Sequence, residues 1–405
     1  MKADFYYAPN LNHKISFGIS SIYYLLHPGY FQSLGHQSFV SQNIVPKEQA
    51  LESAFYLGDE YTLNSKLTIN GGIRYSIYNY LGPHDIYDYT PGQSRSVNTI
   101  MDTISYKSGK VIKTYQSPEI RLSMRYALSE STSLKVSYNT LSQNIHRMSN
   151  STAIAPTDIW KLSDPNIKPQ FGEQYSIGLF KNFKANTIET SIEVYYKNIR
   201  NYLDYKSGAS LVLNHHLETE VINSKGKVYG IELLIKKNTG KLNGWLSYTF
   251  SRTFLKTDDA LAPQPVNNGD YYPADFDKPH TVNCIGNYRF SHRISISGNI
   301  VYSTGRPITL PLAVFNIGGG SSLYYSQRNQ YRIPDYFRSD ISFILEGNHK
   351  IKQLFHGSWS FGVYNLTARQ NVYSAYFVNE NGSVKGYQLS IFGTAIPFIT
   401  YNLKF

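Results

Sequence analysis

Apolar and polar residues alternate with a period of two along most of the chain. The pattern is cleanest at the end, where Ile399, Tyr401, Leu403 and Phe405 interleave with Thr400, Asn402 and Lys404. Such alternation marks a strand with one apolar and one polar face. It recurs in about fifteen segments: 2–8, 13–24, 48–58, 66–80, 117–127, 132–146, 172–181, 187–202, 226–237, 243–254, 279–290, 293–304, 336–346, 356–366 and 388–405. In one of them Ile188, Ile192, Val194 and Tyr196 oppose Glu189, Ser191, Glu193 and Lys197.

The connections alternate as well. Short turns such as 129–132, 182–186, 238–241 and 291–292 take turns with long loops such as 81–116, 147–171, 203–225, 255–278, 305–335 and 367–387. Many strands exceed the ~10 residues a tilted strand needs to cross a bilayer. Strands of soluble proteins are nearer 5–6 residues. A transmembrane antiparallel up-and-down β-barrel, one domain over 1–405, fits both facts. In such barrels short turns face the periplasm and long loops the exterior, which puts the C-terminus in the periplasm of a bacterial outer membrane. The apolar outer face would then meet lipid, and Ile399, Tyr401, Leu403 and Phe405 on the closing strand would serve as its outer-membrane assembly signal.

Composition agrees. Tyr accounts for 36 of 405 residues, and aromatics for 15%, residue types that favour strands. The mean hydropathy of −0.35 suits a barrel whose every second residue faces a wet lumen. No apolar run approaches the ~18 residues of a spanning helix. The single cysteine, Cys284, leaves neither an internal disulfide nor a Cys-based metal site. The net charge of +11 comes without a Lys/Arg block, which argues against a nucleic-acid partner.

The first strand runs into a short turn, and the last follows a long loop and ends the chain, so both point toward the periplasm. A barrel with both ends there has an even strand count and a first strand running outward. An odd number of strands is therefore expected to be missing, and about seven would complete a wall of about 22, the size of plugged transporters. The opening Met1–Ala8 has no charged region followed by an apolar stretch, so it does not read as a signal peptide.

Several stretches resemble the TonB-dependent outer-membrane receptors, especially those of Bacteroidetes type. Asp164-Pro-Asn-Ile-Lys-Pro169, followed by Glu173 and Gly178, is similar to that family's signature at the head of a barrel strand, with Gln170 in place of the usual Glu. Ile192-Glu-Val-Tyr-Tyr-Lys197 and Val228-Tyr-Gly-Ile-Glu232 resemble the strands that follow. Asp275-Phe-Asp-Lys-Pro-His280 is similar to the family's D-x-x-H entry, and Tyr331–Asp340 and Val363-Tyr-Asn-Leu366 resemble later strands. The resemblance covers the later part of the family's barrel. It implies uptake of a nutrient (a siderophore, cobalamin, oligosaccharide or peptide) driven by the TonB complex through a plug domain, which has no counterpart here. A passive porin-like channel and a soluble all-β glycan-binding module are the competing readings.

Candidate chemistry is sparse. His215, His216, Glu218 and Glu220 lie in one loop, but adjacent histidines point apart in extended backbone and zinc spacing is absent. Asp258, Asp259 and Asp270 read as solvated acids. Gly318-Gly-Gly320 lacks the Lys-Ser/Thr of a phosphate loop. No Gly-x-Ser-x-Gly elbow or other catalytic signature appears, no cofactor motif is present, and an enzyme is not expected. Arg74, Lys135, Glu189, Glu193, Lys197 and Glu232 read as lumen polars. Tyr271, Tyr272, Tyr324, Tyr325 and Tyr331 lie in predicted outer loops, where they suit ligand stacking or an interfacial aromatic girdle.

Overall fold

The computed structural model describes residues 1–33, 35, 38–39, 41–149, 158–318, 320–347, 356–380, 383–391 and 393–404. Fifteen strands form one antiparallel sheet in strict chain order. They are β1 (Lys2–Tyr7), β2 (His13–Leu26), β3 (Glu48–Thr62), β4 (Leu67–Leu81), β5 (Val111–Ser129), β6 (Thr132–Gln143), β7 (Gln170–Phe183) and β8 (Ile188–Tyr205). The order continues with β9 (Val221–Lys237), β10 (Leu242–Thr257), β11 (His280–Arg289), β12 (Ile294–Ser303), β13 (Tyr336–Glu346), β14 (His356–Tyr364) and β15 (Ile396–Lys404). A two-residue segment, Tyr272–Pro273, extends the sheet beside β10. No helix among the described residues is long and apolar enough to cross a membrane.

The ladder register turns alternation along each strand into continuous rows across the sheet. Ile69, Met124, Val136, Ile177, Val194 and Ile231 stand directly opposite one another from β4 to β9. Each is 38–48% exposed, so no second protein layer covers them. Ile296, Phe343, Phe361 and Ile399 make a like row from β12 to β15. One step toward the long loops lies a row of four tyrosines, Tyr138, Tyr175, Tyr196 and Tyr229. Beyond it the row turns polar, with Thr140, Glu173, Asn198 and Lys227. On β7 the apolar stretch runs between Lys181 and Glu173, eight steps, or roughly 26 Å along a strand. That is close to the ~25 Å apolar band of a membrane barrel.

The opposite face is polar. Arg74 lies between Glu52 at 3.3 Å and Glu119 at 3.8 Å, and Ser137 and Ser176 share a 2.6 Å hydrogen bond. Gly230 marks a close approach on this face. A Cβ there would lie 2.6 Å from the Tyr195 hydroxyl oxygen, because the Tyr195 side chain crosses the strand to Ser251 Oγ at 2.9 Å. Two of the motif strands, β8 and β9, are thus fitted to each other. Apolar burial is confined to the long-loop end, in three clusters seated on Met148 with Leu217, Tyr80 with Leu162, and Leu255 with Tyr272.

The structure departs from the sequence reading in two places. The closing strand begins at Ile396, not at 388, because Ser383–Ser390 pairs instead with Val372–Glu380 in a separate ribbon. The strand expected to end at Gly58 runs on through Asp59 and Glu60, since β3 continues to Thr62. Cross-strand partners hold the two acids there, His13 at 2.6 Å from Asp59 and Lys14 at 3.0 Å from Glu60. The loops also hold further ribbons, among them His84–Tyr89 with Ile100–Tyr106 and Ile145–Met148 with Ile159–Leu162.

Neighbouring residues of β8 test the two faces. Val194→Lys puts a cation in the apolar row and should cost about 2–4 kcal/mol in a bilayer. Glu193→Lys, on the polar face opposite Glu232, should cost under about 1 kcal/mol. Urea unfolding in lipid vesicles reads both.

Candidate functional site at the long-loop end

Charged groups at the long-loop end fasten the loops to the wall. Lys161 Nζ lies 2.5 Å from Glu48 Oε1 at the start of β3 and 2.7 Å from Asp164 Oδ2, with all three side chains about 6% exposed. Burial works against the Lys161 ammonium, but Asp164 and Glu48 outweigh it and hold the group well above the ordinary lysine range. The other Glu48 oxygen accepts the Leu162 N–H at 2.9 Å. Asp164 also accepts the N–H groups of Asn166 and Ile167 at 2.7 and 2.8 Å, an Asx turn. The Asp164–Pro169 motif is therefore a turn and a buried counter-ion at once. Nearby, burial holds His146 down to about 4, and its Nε2 meets Ser163 Oγ at 2.9 Å.

A second fastening joins the loop after β12 to the ends of β8 and β10. Arg328 Nη1 lies 2.8 Å from Asp204, which also accepts from the Tyr272 hydroxyl. Asn267 and Arg328 exchange two hydrogen bonds, at 2.8 and 3.0 Å. Asn329 donates to Asp275 at 2.6 Å and to the Pro273 carbonyl at 2.8 Å. Asp277, 1% exposed, accepts the Thr253 N–H at 2.7 Å and the Arg332 guanidinium. A third fastening uses Asp340, which accepts the Asn365 N–H at 2.8 Å and Arg338 at 2.7 Å. Every late motif supplies a member of these sets.

Between the ends of β12 to β15 lies a cavity of about 670 Å³. Tyr336 and Arg338 line it from the face opposite the exposed Phe343 and Leu345, so it opens on the polar side of the sheet. Tyr364, Tyr373, Ile333 and Ile396 supply apolar walls, and Lys278, Arg306 and Arg338 are its charged members, with no carboxylate in the lining among the described residues. Asp340 neutralises Arg338. Arg306 donates to the Tyr373 carbonyl at 2.5 Å, and Lys278 has no ion-pair partner among the described residues. Burial lowers both Lys278 and Arg306, and the Arg306 charge lowers Lys278 further.

The sequence-predicted residues are scattered around this end. Tyr272 is 2% exposed and bound to Asp204. Tyr271 lies on the outer face, 4.0 Å from Lys227 Nζ to its ring centre. Tyr324 and Tyr325, 60% and 51% exposed, stand on the ribbon of Pro311–Ile317 with Gly320–Tyr325. Tyr331 pairs with Ile308 in another ribbon. His215 meets Asn43 at 2.7 Å, and His216 lies 3.8 Å from Glu218, which accepts from Tyr89 at 2.6 Å. Among the described residues no His, Cys, Asp and Glu side chains gather into a metal-holding group. On β15, Ile399, Tyr401 and Leu403 are 66%, 51% and 44% exposed, while Phe405 lies outside the described residues. Sequence reasoning missed Lys278 and Arg306, single cations that only the fold brings together.

The family model for the TonB-dependent receptor-like β-barrel matches residues 2–366. The chain belongs to the TonB-dependent receptor β-barrel family. Barrels of this family are outer-membrane proteins. Three solved structures share the fold. The ferric-catecholate import receptor Fiu of K12 E. coli, in its closed form, is 16% identical with a TM-score of 0.58, covering 99% of this chain and 53% of Fiu. The FrpB iron transporter of Neisseria meningitidis is 12% identical with a TM-score of 0.61, covering 100% of this chain and 54% of FrpB. The ferripyoverdine receptor of Pseudomonas aeruginosa, bound to ferripyoverdine, is 13% identical with a TM-score of 0.54, covering 99% of this chain and 46% of the receptor. The chain thus spans about half the length of these structures. No curated protein matches it in sequence.

Two outcomes test the fastenings. Lys161→Met leaves two buried carboxylates without their cation and should cost about 3–5 kcal/mol, seen as faster proteolysis within 144–169. Burial pushes Asp275 up from 3.8 to about 6, its Asn329 hydrogen bond notwithstanding. A raised carboxyl is favourable below its unfolded value and loses that benefit as pH rises through the folded one. The Asp275 contribution to this second fastening is therefore fullest below about pH 4 and smaller by on the order of 2–3 kcal/mol above pH 6. Asp275→Asn should flatten that dependence in hydrogen exchange of residues 326–333.

Proposed function

We propose that the chain forms part of the wall of an outer-membrane receptor that takes up a small anionic chelate, with its long loops outside and its C-terminus in the periplasm. The apolar rows and tyrosine row support contact with lipid at the height described. The cavity between the ends of β12 and β15 carries the substrate reading. Two cations, Arg306 and Lys278, share an aromatic and apolar chamber with no carboxylate in its lining among the described residues. Such a pair suits a ligand that combines negative charge with apolar or aromatic surface, as ferric catecholates do. The motif spacing supports the Bacteroidetes subgroup. The outer edge of β1, which pairs with no strand among the described residues, supports completion of the wall by further strands. In the complete receptor, uptake would be driven by the TonB complex through a plug domain.

A ferric catecholate should quench the intrinsic fluorescence of the chain in neutral detergent. Arg306→Gln should weaken that binding by about tenfold or more, the worth of a hydrogen bond to a charged group, and Lys278→Gln similarly. Cobalamin should show no dependence on either change. Unaltered catecholate binding in both variants would remove the cavity from the substrate path.

A further inference from the structure

The outer face carries a second gathering of cations, on the side of the wall away from the cavity. Directly beyond the tyrosine row, β8, β9 and β10 present Arg200, Lys225, Lys227, Arg252 and Lys256. Their register fixes them on one face: Tyr229 opposes Arg252, Lys227 opposes Phe254, and Lys225 opposes Lys256. The alternate residues Ser224, Gly226, Thr253, Leu255 and Thr257 are buried on the other side. Three carboxylates answer the five cations. Glu173 lies 3.8 Å from Arg200, Asp258 lies 2.8 Å from Lys225, and Asp277 is 3.3 Å from Arg252 but is shared with Arg332. Lys227 and Lys256 have no carboxylate at ion-pair distance among the described residues. Both instead hang over the Tyr271 ring, at 4.0 and 5.6 Å, and Lys227 over Phe254 at 5.9 Å.

The patch is local. Further along the same face, the rows of β3 to β5 at their long-loop ends are Ser53, Ile77 and Gln116, then Leu51, Asn79 and Thr114. None is charged. The five cations therefore mark one sector of the rim. Their height matters as much as their charge. Aromatic rows mark the boundary between hydrocarbon and headgroups, so a side chain one or two steps beyond Tyr196 and Tyr229 stands at headgroup level. Aromatic rings under the ammonium groups give each cation an apolar base and leave its donors free to turn outward.

We infer that this sector of β8–β10 is a docking site for a phosphate-bearing lipid of the outer leaflet, with Lys227 and Lys256 as its principal phosphate contacts and the tyrosine row lying along the acyl chains. The inference rests on the membrane placement proposed above. It is independent of the cavity and its substrate.

Native mass spectrometry of the 405-residue chain in neutral detergent tests the site, with lipid A, phosphatidylglycerol or phosphatidylcholine added, and inorganic phosphate as a soluble rival. Retention of lipid A and phosphatidylglycerol well above phosphatidylcholine is the expected result. Lys227→Gln with Lys256→Gln should weaken that retention by about thirtyfold, at ~1 kcal/mol for each cation near an anionic surface. Lys66→Gln, exposed at a short turn, should leave it unchanged, and unaltered circular dichroism certifies the fold of each variant. Equal retention by the double variant and the parent overturns the site. So does displacement of the lipid by millimolar inorganic phosphate, which would make the patch a soluble-anion site. Retention of the charged lipids with no preference over phosphatidylcholine overturns the site but leaves the membrane placement standing. Failure to retain any lipid overturns the placement itself.

Discussion

The wall is held by backbone hydrogen bonds passed from strand to strand while one face stays apolar. Each ladder bond satisfies a polar group that hydrocarbon cannot. Strict chain order among fifteen strands means that every bond is made with a neighbour in sequence. Register then follows from alternation, because a slip of one residue would turn Ile177 and Val194 inward and expose Ser176 and Glu193 in their place. The cross-strand rows from Ile69 to Ile231 exist because six strands obey that constraint together.

Packing of the ordinary kind is reserved for the long-loop end. There the loops replace missing apolar partners with buried carboxylates, among them Glu48, Asp164 and Asp277, which answer a cation and one or more backbone N–H groups. A buried ion pair is weak evidence of stability in itself, since desolvation opposes it. Its worth lies in geometry. Asp164, Asp277 and Asp340 each join a charged partner to backbone N–H groups, so each fixes a position as well as a contact. Arg306 and Lys278 face one chamber because Asp277 and Asp340 hold the two sides of it in place.

The wall was legible because period two is a global signal repeated in every strand. Fourteen of the fifteen strands fall where alternation puts them, give or take a few residues, and the family motifs lie on the strands and turns they resemble. Errors arose where local chemistry gave way to pairing. Gly58-Asp-Glu60 has turn composition, yet His13 and Lys14 across the ladder hold it extended. Residues 388–390 continue an apolar alternation, yet they pair with Val372–Ala375 outside the wall. The site was less legible. Tyr272 has the composition of a binding aromatic, but its phenol is committed to Asp204. Arg306 and Lys278 carry no pattern of their own and meet only because three loops converge, and no periodicity along one strand encodes that.

The Lys161 triad has a mechanical consequence. The ribbon that carries Lys161 is nailed to the first residue of β3, and opening it would strip three charges of their partners in a dry environment. It cannot serve as a swinging door. Any displacement at this end must fall instead on the outermost fringes, such as the ribbon of His84–Tyr89 with Ile100–Tyr106, whose far strand is largely exposed. The mouth is thus divided into a fixed collar and a pliant brim.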